Sequence, residues 1–250
     1  MNDNYLETKS VCKYFGGLKA LDNIDLSINK KQLKAIIGPN GAGKTTFFNL
    51  ISGLYPPTKG KIFFEGVDIT NKGMHKISKI GITKTFQITH IFPSLTVFEN
   101  VRLAAQSRTT TFNFLRRTES LYAVNNAARE VLEQVHLVER AGVKASELSH
   151  GERRYLEIGI ALATNPKILL LDEPAAGMNP AETLQVTELV RSLVDKLGLT
   201  VILIEHDMKV VMAISDEIMV LKEGRTLATG TPKEISSNEE VQRAYLGGRN

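Results

Sequence analysis

Residues 38–46 read GPNGAGKTT, a spacing suited to holding phosphate groups. Gly38, Gly43, Lys44 and Thr45 fill the fixed places of G-x-x-x-x-G-K-[ST]. With Pro39, Asn40, Gly41, Ala42 and Thr46 they form a turn whose backbone N–H groups can surround phosphate oxygens. The pattern places Lys44 along the β- and γ-phosphates of a nucleotide and the Thr45 hydroxyl on Mg²⁺. An acidic pair ends the segment 168–174, ILLLDEP. Its apolar residues bury a strand and deliver Asp172 and Glu173 to the exposed end. Asp172 is then placed to hold hydrated Mg²⁺ opposite Thr45, and Glu173 to orient or deprotonate a water attacking the terminal phosphate. Hydrolysis needs both, a cation to offset charge and an acceptor to position water.

Other residues carry chemistry only in that company. Gln87 offers an acceptor and donors to Mg²⁺ or water, though an isolated glutamine is ordinarily a surface or capping residue. His206 directly follows the segment 201–205; at a strand end it can hydrogen-bond a terminal phosphate or orient water, and alone it reads as structural. Phe15 and Tyr14 offer a flat face to adenine, or else pack in a loop. Residues 148–154, LSHGERR, let Ser149 and Gly151 present a hydroxyl and close N–H groups at a helix start. Read alone, Ser149 and Glu152 make a capping box there.

The elements needed to position these groups follow from periodicity and breakers. Strands are expected over 6–12 and 21–28 around a loop at 13–19, then over 33–37 before the glycine turn and a helix to about residue 53. Pro56 and Pro57 stop that helix, and a strand begins at 61–64. A loop and strand cover 80–87, and helices cover 97–106 and 123–135. Between those helices, 107–120 is polar and basic, and reads as a surface insertion or irregular hairpin. Further helices are expected at 152–163 and 181–197, strands at 168–171 and 201–204, and a tail of strands at 218–221 and 226–228 with a helix at 239–245. Uninterrupted apolar strands suit a sheet covered on both faces by helices.

A chain of 250 residues with 42% hydrophobic and 23% charged residues can bury a full core. No run approaches the roughly eighteen apolar residues of a membrane span. The first ten residues lack the basic end and apolar core of a signal peptide. The single cysteine, Cys12, excludes an internal disulfide and fits a reducing compartment. A net charge of +4 permits an anionic ligand or surface without showing nucleic-acid binding, and the lack of tryptophan and of an interleaved basic and aromatic run argues against a nucleic-acid groove.

Taken together, these motifs resemble the ATP-binding subunit of ABC transporters, over nearly the whole chain. Residues 38–46 match the Walker A motif of that family, and 168–173 its Walker B with the catalytic glutamate. Gln87 falls at the Q-loop and His206 at the switch histidine, while Phe15, directly before Gly16, fits the adenine-stacking loop better than Tyr14. LSHGERR falls at the family signature. The resemblance implies an α/β fold: a P-loop NTPase core with a mixed sheet, an N-terminal antiparallel β portion and a helical subdomain. Residues 1–250 would form one nucleotide-binding domain, with about 104–160 as its helical subdomain, signature included. In the family two such domains meet head to tail, so Ser149, His150, Gly151 and Glu152 would contact the ATP held by a partner's Lys44. Thr45, Gln87 and Asp172 would organise Mg²⁺, with Lys44, Gln87, Glu173 and His206 as the catalytic set.

The stretches LLLDEPAAGMNP and IEHDMKVVMAISDEIMVLKEGRTLATGTPKEI, with the ending VQRAYLGG, look like the LivG-like ATPases of branched-chain amino acid importers. The resemblance implies a peripheral protein on the cytoplasmic face of the inner membrane. Its implied partners are a second ATPase subunit, membrane permease subunits and, indirectly, a substrate-binding protein. A lipopolysaccharide-export ATPase shares a similar GERR stretch, so another cargo is the alternative. A soluble ABC-type ATPase of translation or repair fits less well, lacking here a second motif set or sustained heptads. Three positions depart from the common pattern. His150 replaces a glycine, Glu152 a glutamine and Asn179 an aspartate; His150 is open to weakening closure or to being tolerated.

Overall fold

A computed structural model describes residues 4–85, 91–107 and 117–246. Strand β1 (Leu6–Phe15) pairs antiparallel with β2 (Leu18–Ile28) and with β4 (Lys59–Phe64), which in turn pairs with β5 (Val67–Asp68). This four-stranded sheet has the order β2-β1-β4-β5. The loop expected at 13–19 is instead strand on both sides of a two-residue turn. Tyr14 lies opposite Lys19 and Phe15 opposite Leu18, with Gly16 at φ 56°. Gly16 supplies the left-handed backbone that a tight hairpin demands. A shift in register between Lys13 and Tyr14, with lysines at both 13 and 19, breaks the period of two, which is why 13–19 does not read as strand although 6–12 and 21–28 do.

The second sheet contains β3 (Leu33–Ile37), β6 (Ile82–Lys84), β7 (Ile168–Asp172), β8 (Thr200–Ile204), β9 (Glu217–Lys222) and β10 (Arg225–Gly230), in the order β10-β9-β3-β8-β7-β6. Its contacts are parallel except for the antiparallel β9–β10 pair. Every residue of β3, β7 and β8 is buried. Alternate residues serve opposite faces. Leu169, Leu171, Val201 and Leu203 pack with one cluster, while Ile168, Leu170, Ile202 and Ile204 pack with the other. Two covered faces explain why these strands read as unbroken apolar runs.

Helix α1 (Lys44–Ile51) follows β3 and buries Phe47, Phe48, Leu50 and Ile51 between the two sheets. On the opposite face lie α3 (Val97–Gln106), α4 (Arg117–Gln134), α5 (His150–Ala163) and α6 (Pro180–Leu197), joined through Val101, Ala128, Leu132, Leu156 and Leu189. The helical assembly matches the expected fold class, as do the mixed sheet and the antiparallel β portion. Of the insertion at 107–120, residues 108–116 lie outside the described ones and 117–120 belong to α4.

Three short helices were not expected: α2 (Met74–Ile80), α7 (Met208–Ile214) and α8 (Pro232–Ser237). Each spans about two turns, too short for an amphipathic period to declare itself. Helix α2 occupies the first residue of what reads as a loop and strand at 80–87. The final helix, α9 (Glu239–Leu246), completes the chain's described part.

Candidate functional site

Strands β3, β7 and β8 run side by side in parallel, so their C-terminal ends form one rim. From that rim emerge Gly38, Glu173 and the Glu205–His206 pair, at the edge where parallel α/β sheets bind ligands. The phosphate turn is shaped by contacts only glycine tolerates. A Cβ on Gly38 would stand 2.1 Å from the Leu221 carbonyl oxygen, and one on Gly43 2.7 Å from the Leu21 side chain. Gly43, at φ 98°, also opens α1 without a side-chain cap, and no acid sits in its first turn. By contrast α3, α5, α6 and α8 all carry capping boxes, from Thr96, Ser149, Asn179 and Thr231. The first N–H groups of α1 therefore remain available to an anion.

Lys44 is buried, and its ammonium donates to the carbonyls of Gly38 at 2.6 Å and Pro39 at 3.1 Å. Burial lowers its pKa, a shift opposed by the nearby Glu173 and Asp172 carboxylates. Gly41, Ala42, Gly43, Lys44, Thr45 and Thr46 line a cleft with Leu18, Lys19 and Glu173. Glu173 thus faces the phosphate turn, as expected, and Thr45 is exposed toward it. Pro39 and Asn40 complete the turn between Gly38 and Gly41.

Asp172 is 1% exposed at the end of β7, and neither carboxylate oxygen has a hydrogen-bond partner. Its one close ion pair among the described residues is with Lys84 of β6, at 3.5 Å. Burial raises its pKa; Lys84 works against that and Glu173 with it. A buried carboxylate with two orphan oxygens fits a cation ligand. Among the described residues no three or more His, Cys, Asp or Glu side chains gather into a cage. The donor set therefore suits a hard cation shared with phosphate oxygens, which is how Mg²⁺ is commonly held. Gln87, the third expected metal ligand, lies outside the described residues.

Glu173 adopts φ 49°, a left-handed conformation that costs a non-glycine residue about 1–2 kcal/mol. Two residues given no role in the sequence reading hold this corner. Glu205 is 1% exposed and accepts from the Ala175 N–H at 3.1 Å and from its neighbour's, His206, at 3.0 Å. Arg154 of α5 donates to the carbonyls of Asp172 at 3.0 Å, Pro174 at 2.9 Å and Glu173. Charge-assisted bonds of this kind contribute about 1.5–3 kcal/mol each, so together they outweigh the backbone strain. His206 is 65% exposed, with Nδ1 3.9 Å from Glu173 Oε1.

The remaining candidates occupy two flanks. Phe15 is exposed at the hairpin, in an edge-on contact with Tyr55 at 5.9 Å and beneath the Lys13 ammonium at 5.1 Å. Its cross-strand partner Leu18 lines the phosphate cleft, whereas Phe15 itself does not. Ser149 caps α5 in a full capping box with Glu152, whose carboxylate also pairs with Arg140 at 2.7 Å. That pairing and the Ser149 N–H hold the Glu152 pKa below the usual carboxylate value. Ser149 and His150 are exposed, and Gly151 is buried beside Glu182. None of Ser149, His150 and Gly151 lines the cleft around Lys44. His150 stands instead beside the loop that follows Glu173. The His150 ring comes within 3.7 Å of where a Cβ on Gly177 would sit. Asn179 caps α6 with bonds of 3.0 Å to the N–H groups of Ala181 and Glu182. Asparagine and aspartate cap equally well, so this departure leaves the local fold intact.

Among the described residues no helix is long and apolar enough to cross a membrane. The ABC transporter family model matches residues 21–176, and that of the branched-chain amino acid ATP-binding cassette transporter matches 225–249. The chain is 44% identical to the high-affinity branched-chain amino acid transport ATP-binding protein BraF of Pseudomonas aeruginosa, covering 99% of each. It is 42% identical to the corresponding protein LivG of Escherichia coli K12, again over 99% of each. Among solved structures, an ATP-binding cassette of an ABC transporter in its ADP conformation superposes with a TM-score of 0.85 at 35% identity, covering 98% of this chain and 99% of that one. Those matches and the shared rim of phosphate turn and acidic strand end lead to one conclusion: the chain belongs to the ABC transporter family, as an ATP-binding subunit closely related to LivG and BraF.

Proposed function

We propose that this subunit hydrolyses ATP to power import of branched-chain amino acids through a membrane permease. The observation that carries the hydrolytic reading is the convergence of the uncapped α1 N-terminus, the orphaned Asp172 carboxylate and Glu173 on one sheet rim. The cargo rests on the names borne by BraF and LivG and on the match of residues 225–249.

In this reading the α1 N–H groups bind the phosphates, and Lys44 leaves the Gly38 and Pro39 carbonyls to lie along their oxygens. Thr45, Gln87 and Asp172 would hold Mg²⁺, which would offset phosphate charge. Glu173 accepts a proton from water as the water oxygen bonds to the γ-phosphorus. The bond from that phosphorus to the bridging oxygen breaks, and its electrons leave with ADP. His206, beside Glu173, contacts the γ-phosphate, and Phe15 stacks on adenine. Ser149, His150, Gly151 and Glu152 meet the nucleotide of a second subunit, a reading supported by the family resemblance and by their place outside the cleft that holds Lys44. Nucleotide then joins two subunits, and its binding energy biases an open–closed equilibrium that the permease follows. Residues about 104–160 are assigned to the helical subdomain, and the protein works as a peripheral component at the cytoplasmic face of the inner membrane.

The test is purification of the full chain from detergent-solubilised membranes, followed by reconstitution of whatever copurifies. Integral membrane permease subunits and ATP-dependent uptake of labelled leucine are expected. Copurification with a permease that moves a different cargo overturns the substrate, and recovery without any membrane protein overturns the transport reading.

A further inference from the structure

Residues His150, Arg154 and Glu157 share one face of α5, at spacings of four and three residues, and that face lies against the corner after β7. The Arg154 guanidinium is enclosed there. Its Nε donates to the Pro174 carbonyl at 2.9 Å, its Nη2 to the Asp172 carbonyl at 3.0 Å and also to that of Glu173, and its Nη1 to Glu157 Oε2 at 2.5 Å. One side chain thereby fixes three successive peptide units around the residue at φ 49°. Glu173 also lies between two clefts, one holding the phosphate turn and one lined by His150, Arg154 and Glu157.

We infer that Arg154 is a positioning residue for Glu173, and that through it the Glu173 carboxylate of one ATP site answers to the state of the other. The second part rests on the head-to-tail reading above. There, the start of α5 meets the nucleotide held by the partner, while Glu173 serves the nucleotide held by its own chain. Arg154 lies one turn into α5 from His150. A shift of the helix start on meeting a phosphate is carried by a rigid helical turn to the guanidinium, and from there to the carbonyls on both sides of Glu173. The planar fork suits this task. It grips several oxygens in a fixed geometry, which a lysine, with one point of charge, does not reproduce.

The experiment uses the full chain, with Arg154→Gln and Arg154→Lys as paired variants and thermal melting as the check on folding. Steady-state ATP hydrolysis gives kcat, KM and the Hill coefficient, and a fluorescent ADP analogue reports affinity at the phosphate turn. Arg154→Gln is expected to lower kcat at least ~10-fold with ADP affinity unchanged. Its Hill coefficient falls from about two toward one, and Arg154→Lys recovers part of kcat but little of the cooperativity. Added to Glu173→Gln, Arg154→Gln gives no further loss, because both act through one carboxylate. A kcat within about twofold of the parent, or a further loss on top of Glu173→Gln, overturns the positioning role. A fall in kcat matched by equal falls in ADP affinity and melting temperature also overturns it, as it marks a structural bond only. If the parent protein hydrolyses ATP with a Hill coefficient of one, the head-to-tail reading fails and the cross-site link with it, while the kcat comparison still decides whether Arg154 positions Glu173.

Discussion

Burial makes Asp172 a costly site for negative charge unless a cation stands beside it, and in this chain that cation is Lys84. Lys84 is itself 10% exposed, and its ammonium donates to Asn49 Oδ1 at 2.8 Å, linking β6, β7 and α1. Burial lowers the Lys84 pKa while Asp172 opposes the shift. Removing the ammonium leaves an uncompensated carboxylate, so Lys84→Met is expected to destabilise the nucleotide-free protein by about 2–3 kcal/mol. Mg²⁺ with nucleotide replaces the missing charge. Their addition should therefore raise the melting temperature of the variant more than that of the parent, and an equal rise in both would contradict this account. Lys84 escapes a reading of the sequence because it is a lone lysine in a three-residue strand. Its role appears only when β6 is placed against β7. Arg154 and Glu205 are hidden for a related reason. They act on backbone groups of residues distant in sequence, and backbone partners leave no mark on residue type.

At the scale of elements, α5 carries the most information in the fewest residues. Ser149 and Glu152 stand in capping-box spacing, and the structure forms that box. Ser149→Ala should cost about 1 kcal/mol in thermal or denaturant unfolding. Glu152 adds a pH dependence. Its pKa is lower folded than unfolded, so its stabilising contribution is present above the unfolded carboxylate pKa and is lost as pH falls through the folded value. Glu152→Gln retains a capping acceptor but loses the Arg140 pair. It should therefore be less stable than the parent near neutral pH by at most about 1 kcal/mol, since Arg140 is largely solvated. The difference should vanish as pH falls below the ordinary carboxylate range, and unfolding curves with a pH-independent gap would contradict it. Strands β3, β7 and β8 are legible because burial on both faces leaves continuous apolar runs. The β1–β2 hairpin is legible only at 6–12 and 21–28; its turn end at 13–19 is not, because lysines and a register shift between Lys13 and Tyr14 overlay its period of two. Helices α7 and α8 are hidden by brevity, although Asp207 and Thr231 cap them.

At the scale of the molecule, one sheet rim gathers groups from positions 38–46, 172–173 and 205–206, and the motif order alone is enough to anticipate that meeting. What the motifs do not convey is how His150 is accommodated. Its ring rests against Gly177, on the loop between Glu173 and α6, rather than closing over the phosphate turn of its own chain. The site around Lys44 contains no residue of the signature, which agrees with the proposal that a second subunit completes it. The Glu173→Gln protein is accordingly expected to double in mass with ATP, by light scattering, and to remain monomeric with ADP. A single mass under both conditions would contradict the composite site.

Hydrolysis at this site depends most on Glu173 as the acceptor of the proton from water. Its most direct test measures phosphate release and ATP binding on the same preparations of parent and Glu173→Gln protein. Glu173→Gln should lose at least ~100-fold in phosphate release, as expected for removal of a general base, with ATP affinity retained. Phosphate release within about threefold of the parent, at equal ATP occupancy, would contradict it.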